Sequence, residues 1–220
     1  MRYGRLVAVS SVLLILLSAE AAFAGTVSVT LIGVGGQNGG GVYTYPYYFS
    51  VSNGPSTALI CDSYDNTINP PTQWTANVYS LLSAGNSGQG YYTGMQTQYD
   101  AAGLIFGAIL NGTVGPVQGN WAIWGLFSSN ARSNSFYTSS GANNIESQYL
   151  TTAQNDIIHN SLPAYLASMV VYTPVGGVGG RSGPQEFLAV TPEPGSLALF
   201  GSGMAIFGGV LRKKWLGRQS

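Results

Sequence analysis

Apolar residues along the chain change period twice. Val27, Val29 and Leu31 alternate with Ser28, Thr30 and Ile32, a period of two that predicts a strand with one apolar face. Gly33 to Gly41 reads as a glycine-rich turn. Val42 to Val51, dense in Tyr, Phe and Val, predicts a second strand, with Pro46 marking an edge because it removes a ladder donor. Ser52-Asn53-Gly54-Pro55 then reads as a hairpin turn into a strand at Thr57 to Asp62, and beyond Pro70 and Pro71 another strand runs from Trp74 to Leu82. From Gln96 to Leu110 the period changes: Tyr99, Ala102, Phe106 and Ile109 recur at three and four residues, a helix with a core-facing stripe. Trp121, Trp124 and Phe127 repeat the spacing within Val117 to Phe127, and Glu146 to His159 predicts a third helix, stopped before Pro163. Strand character returns at Ala167 to Thr173 and Glu186 to Val190, on either side of the glycine-rich Gly176 to Gly183. Strands, helices, then strands predict an α+β domain: mainly an antiparallel sheet or sandwich, closed by its two chain ends and carrying a helical insertion.

Both ends of the chain carry unbroken apolar runs instead. Arg2 and Arg5 precede an apolar stretch from Leu6 to Leu17, and Ala22-Phe23-Ala24 supplies a small-x-small signal, so residues 1–24 read as a secretory signal peptide cleaved after Ala24. A run of about 12 residues is short for a membrane span, which favours removal over a retained signal anchor. At the other end Pro192-Glu193-Pro194 is followed by an apolar run to Leu211 and by Arg212-Lys213-Lys214, with Arg218 beyond. At about 1.5 Å per residue a helix over 195–211 reaches about 25 Å, slightly short of a hydrocarbon core of about 30 Å. Trp215 and the cations suit the cytoplasmic interface, which predicts a single transmembrane helix with its N-terminal side outside. The expected organisation is therefore a signal peptide (1–24), an exported globular domain (25–190) and a tail (191–220) ending in a basic segment, 212–220.

That order of Pro-Glu-Pro, short apolar helix and basic end resembles the PEP-CTERM sorting tail of Gram-negative bacteria that make exopolysaccharide. The resemblance implies an exosortase-type membrane protease as partner, which removes the tail. It also implies export through the inner membrane, transient anchoring through 195–211, and a final place at the cell surface or outside the cell. An ordinary tail anchor behind a Pro-rich linker is the plainer alternative.

Charge separates cargo from ends. The chain is formally neutral, yet between Gly25 and Thr191 six acids (Asp62, Asp65, Asp100, Glu146, Asp156, Glu186) face two arginines (Arg132, Arg181), a net −4. With no lysine there, the domain is not built for nucleic acid or for a basic membrane face. Cys61 is the single cysteine, so no internal disulfide forms; a lone thiol in an oxidising compartment is either buried and inert or used.

Leu59-Ile60-Cys61-Asp62, Trp74-Thr75-Ala76, Ala122-Ile123-Trp124 and Glu186-Phe187-Leu188 together resemble a group of PEP-CTERM cargo domains that look distantly like the Cys–Gln thioester domains of bacterial adhesins. The resemblance implies that Cys61 bonds to a glutamine four residues before Trp124, where this chain has Asn120, one methylene shorter. Gln118 is the substitute: extended, it would lie on the face of Asn120 but about 6.6 Å away; helical, it would point nearly opposite. The thiol is therefore either half of a thioester or a small buried hydrophobe. Asp62, Asp65, Asn66 and Asn69 offer oxygen ligands in one loop, but without the spacing of a calcium loop a solvated acidic turn is expected, and no metal or other cofactor. His159, the only histidine, has no Gly-x-Ser-x-Gly partner and reads as a helix C-terminal residue. No glycine-rich stretch carries a phosphate-loop Lys-Ser or Lys-Thr. The expectation is an exported, non-enzymatic surface or matrix protein whose partner is exopolysaccharide or another cell-surface component; the alternatives are a thioester adhesin acting through Cys61 and a polysaccharide hydrolase with two of the six acids in one cleft.

Overall fold

The period-two pattern of the first third fills the inside of a barrel. The computed structural model describes residues 25–66, 68–176 and 184–191. The predicted signal peptide, the motif Pro192, Glu193 and Pro194, the helix at 195–211 and the basic residues Arg212, Lys213 and Lys214 lie outside the described residues. Those described up to Val190 belong to one compact unit. Among the described residues no helix is long and apolar enough to cross a membrane.

In chain order the strands are β1 (Gly25–Val34), β2 (Asn38–Gly39), β3 (Val42–Tyr43), β4 (Tyr47–Val51), β5 (Ser56–Cys61), β6 (Thr72–Ser80), β7 (Met169–Pro174) and β8 (Phe187–Val190). Six of them close antiparallel in the order β1, β4, β5, β8, β7, β6, while β2 and β3 form a separate two-stranded ribbon. The expected α+β architecture, an antiparallel sheet with a helical insertion, is present, and the sheet closes on itself as a barrel where a sandwich was the other expectation. The cause is β8, which pairs with β7 on one side and, through Ile60↔Leu188 and Cys61↔Phe187, with β5 on the other. Closure leaves the barrel without a terminal strand, and Pro46 is not in a strand: it precedes β4, and its carbonyl accepts from the Gly35 N–H at 2.8 Å. The run Val42 to Val51 is divided there into β3 and β4.

Register puts one set of side chains inside. Val29 pairs with Val51 and Trp74, Leu31 with Phe49, Tyr47 with Leu59, and Cys61 with Phe187. Phe49, Trp74 and Phe187 meet at ring separations of 4.6 to 6.1 Å and plug the middle. The predicted hairpin between β4 and β5 is present: Ser52 and Asn53 have φ of 50° and 59°, and the Gly54 N–H donates to the Val51 carbonyl at 2.8 Å. Positive φ at both central residues matches strand twist. Antiparallel pairing places Gly25, Ser80, Met169 and Val190 at one end of the barrel, the exit, and Val34, Tyr47, Cys61, Thr72 and Phe187 at the other, the mouth.

The insertion between β6 and β7 is helical: α1 (Gln96–Leu110), α2 (Pro116–Phe127), α3 (Ser129–Ser133), α4 (Ser135–Ser139) and α5 (Ala142–His159). Tyr99, Ala102, Phe106 and Ile109 are buried as their spacing predicts, but so is the rest of Tyr99 to Phe106, because α1 is covered on more than one side. It packs on α2 and α5, while its Gly103 faces Leu81, Leu166 and Met169 beside the barrel. Gln96 stitches its start to the preceding loop, donating to the Leu81 carbonyl and accepting from the Gly85 N–H, each at 2.9 Å.

Gly85 is where that stitch tolerates no side chain. A Cβ there would lie 2.4 Å from the Gln96 nitrogen and 2.5 Å from its Cα, both backbone atoms that cannot swing aside. Gly85→Ala should cost about 1–3 kcal/mol in urea unfolding, whereas Gly33→Ala, with nothing within 4 Å of the added carbon, should be close to neutral.

Candidate functional site at the barrel mouth

Because side chains alternate along a strand, the mouth end of β5 turns Cys61 inward and Asp62 outward, toward the helices. The same backbone seam continues one step past the barrel, since the Asp62 N–H donates to the Glu186 carbonyl at 3.4 Å. Asp62 and Glu186 are therefore neighbours on the outer face, both fully buried. The Glu186 carboxylate accepts from the Tyr99 hydroxyl at 2.5 Å, from the Tyr91 N–H at 2.8 Å and from the Thr173 hydroxyl. Asp62 accepts from the Ser63 hydroxyl at 3.0 Å through Oδ1, while its buried Oδ2 meets no donor. Burial raises both carboxyls above their ordinary range, and their proximity raises Asp62 further. With three donors on Glu186 and one on Asp62, a single shared proton is best held by Asp62 and aimed at Glu186. Burial beside this pair also pushes the Tyr92 and Tyr99 phenols well up.

On the inner side Cys61 is fully buried and its thiol points to the Ser63 carbonyl, Sγ to O 3.6 Å. Burial first, then the Asp62 carboxyl, pushes the thiol well above the usual cysteine value, and the Trp124 indole N–H faces the sulfur. Of the two residues considered as partners for Cys61, Asn120 is close: its Nδ2 donates to the Cys61 carbonyl at 2.9 Å and its Oδ1 accepts from the Tyr45 N–H at 2.7 Å. Both ends of that amide are thus committed to backbone, tying α2 to β5 and to the loop before β4. Gln118 is not brought in, because its segment is helical and two residues turn it to the far side. Its Oε1 instead lies 2.5 Å from where a Cβ on Gly115 would stand.

The glutamine that shares a hydrogen-bond acceptor with Cys61 is Gln185. Its Nε2 donates to the same Ser63 carbonyl at 3.0 Å and to the Asn66 carbonyl, while its Oε1 is buried without a partner. Sequence reasoning missed it because nothing local pairs position 185 with position 61; the register of β8 on β5 does.

Gln185 and Trp124 also line an open cleft of about 630 Å³ at the mouth, walled by Tyr43, Tyr47 and Tyr64 and rimmed by Asp65, Asn66, Asn69 and Asn130. Tyr64 is held by the rings of Trp121 and Trp124 at 5.2 and 5.3 Å. The rim acid Asp65 accepts from Asn130 at 2.6 Å. Since Asp62 is buried against the helices and Asp65 is exposed at the rim, the loop's oxygens do not converge, and among the described residues no three of His, Cys, Asp or Glu cluster as a metal site. His159 ends α5, with Nδ1 2.7 Å from the Asn155 carbonyl.

Residues 190–214 match a family model described as the PEP-CTERM protein-sorting motif, which supports the sorting tail read from the sequence. No curated protein and no solved structure matches the chain, so the likeness to thioester domains finds no support there.

The carboxyl pair makes stability depend on pH in a definite direction. Both groups have raised values in the fold, so their contribution is fully present below the ordinary carboxylate range, about pH 4, and is lost as pH rises through the folded values. The melting temperature should fall as pH is raised from about 5 to 8, and Asp62→Asn, whose amide donates permanently to Glu186, should flatten that decline. A decline of the same slope in the variant would remove the pair as its cause.

Proposed function

We propose that this is an exported, non-enzymatic surface or matrix protein, delivered through its C-terminal tail by an exosortase-type enzyme, that holds a cell-surface or exopolysaccharide partner in the cleft at the barrel mouth. The observation that carries the reading is the lining of that cleft: exposed Tyr43 and half-buried Tyr64 beside the side-chain amides of Asn66, Asn69, Asn130 and Gln185, with one acid and no cation among the described lining residues. Flat aromatic faces match the apolar faces of sugar rings, and amides match their hydroxyls in both donor and acceptor roles. A ligand rich in neutral hydroxyls fits better than an anionic one. The sorting tail supports export and release at the surface. Against a hydrolase, Asp62 and Glu186 are in mutual contact on the side away from the cleft, leaving no room for a glycosidic bond between them.

A covalent reading has one observation in its favour, the shared Ser63 carbonyl that brings the Cys61 thiol and the Gln185 amide together. In it Cys61 Sγ attacks Gln185 Cδ, the C–N bond breaks, ammonia leaves with the thiol hydrogen, and a thioester remains at the floor of the cleft until a partner's amine or hydroxyl displaces the thiol. The raised thiol value works against the attack and favours an inert cysteine.

Isothermal titration of the secreted protein with neutral bacterial polysaccharides should give saturable binding that Tyr43→Ala weakens about tenfold, the loss of one aromatic contact, without a change in unfolding midpoint. Saturable binding that survives loss of Tyr43 and Asn130 together would place the partner elsewhere. Intact mass separates the two readings: an unmodified mass supports the noncovalent one, and a mass lower by one ammonia, restored by Gln185→Ala but not by Gln118→Ala, supports the thioester.

A further inference from the structure

The exit end of the barrel carries a second concavity of about 390 Å³, between Leu110 of α1, Tyr165 in the turn before β7, and the paired Met169 and Val190. The Tyr165 ring lies on Gly107, where an added Cβ would come within 2.8 Å of it. Its rim is apolar and open: Leu110 is 50% exposed, Tyr165 44% and Val190 37%. The face of α5 that carries Tyr149 and Asp156 lies beside Tyr165, close enough to raise its phenol. An apolar surface of this kind on an exported domain calls for an occupant.

Chain geometry names one. Val190 is both a rim residue and the last residue of β8, so the tail leaves the domain at this concavity. Only four residues separate Val190 from the predicted membrane helix at 195–211, a reach of no more than about 18 Å between Val190 and its first residue. We propose that, while the tail is in place, this face lies against the outer surface of the membrane that holds it, with Leu110, Tyr165 and Val190 among the headgroups. The inference rests on the sorting-tail reading. A tether this short keeps the face at high effective concentration near the bilayer, so a small apolar patch and one interfacial tyrosine suffice where they would not hold a free protein. Charge attraction is not part of it: Arg132, the only Lys or Arg among the described residues, is paired with Glu146 at 2.8 Å, and Asp156, with His159 at the end of α5, is the titratable group beside Tyr165. Removing the tail ends the tether and with it the contact, leaving the cleft-bearing domain free to depart.

The test uses the exported chain with its tail, reconstituted into vesicles of phosphatidylethanolamine and phosphatidylglycerol. An environment-sensitive fluorophore is placed at Leu110→Cys or, at the mouth, at Tyr43→Cys; Cys61 is buried and does not compete for label. Flotation reports insertion, and headgroup-nitroxide lipids should quench the label at 110 several-fold more than the label at 43. Tyr165→Ser combined with Val190→Ser should reduce the difference. A chain that does not float overturns the tail reading and this inference with it. A chain that floats with equal quenching at both positions overturns the membrane contact alone, and so does shielding at 110 that depends on a co-reconstituted exosortase-type enzyme, which would make the face a protein interface.

Discussion

Closure of the sheet depends on a short seam between β5 and β8, two residue pairs long, Ile60 with Leu188 and Cys61 with Phe187. Without it β8 would leave unpaired backbone groups on β5, and the barrel would be an open sheet with two edges. The same seam continues through the Asp62 N–H to the Glu186 carbonyl and sets two chemistries back to back. Outward, Glu186 beside Asp62 accepts from Tyr99 of α1 and from the Tyr91 backbone; inward, Cys61 and Gln185, the latter a lining residue of the cleft, share the Ser63 carbonyl. A buried carboxylate is costly unless hydrogen-bonded, and here the donors come from the insertion and from β7, so barrel and helices are satisfied only in each other's presence.

Most elements were legible in the sequence, for a local reason. Helix α1 starts and ends where its apolar spacing says, and β1 buries the face its alternation marks, because those signals are read within a few residues. The turn at Ser52-Asn53 was legible for the same reason. What the sequence hid is non-local. Residues 187–190 read as a strand, but nothing in them says that they lie between β5 and β7, which decides barrel against sandwich. Gln185 and Cys61 are brought together by that register alone. The short helices α3 and α4 are too brief to show a period; their signals are the caps, the Ser128 hydroxyl accepting from the Ala131 N–H and Asn134 Oδ1 accepting from the Phe136 N–H.

Asn120, just before Ala122-Ile123-Trp124, stands beside Cys61, where its amide serves as a double strut between backbone groups of β5 and of the loop before β4. A hydrogen-bonded amide with both ends engaged in a fully buried site is a structural cross-link.

The direction of β8 has a mechanical consequence. It runs from the mouth to the exit, flanked on both sides by antiparallel neighbours whose hydrogen bonds lie across the strand. A pull on Val190 away from a load held at the mouth is directed along β8 and strains those bonds together in shear, where a pull across the sheet would peel them one at a time. A partner seated in the cleft and a tail gripped elsewhere therefore draw on opposite ends of the same strand, and the domain meets tension along its strongest axis.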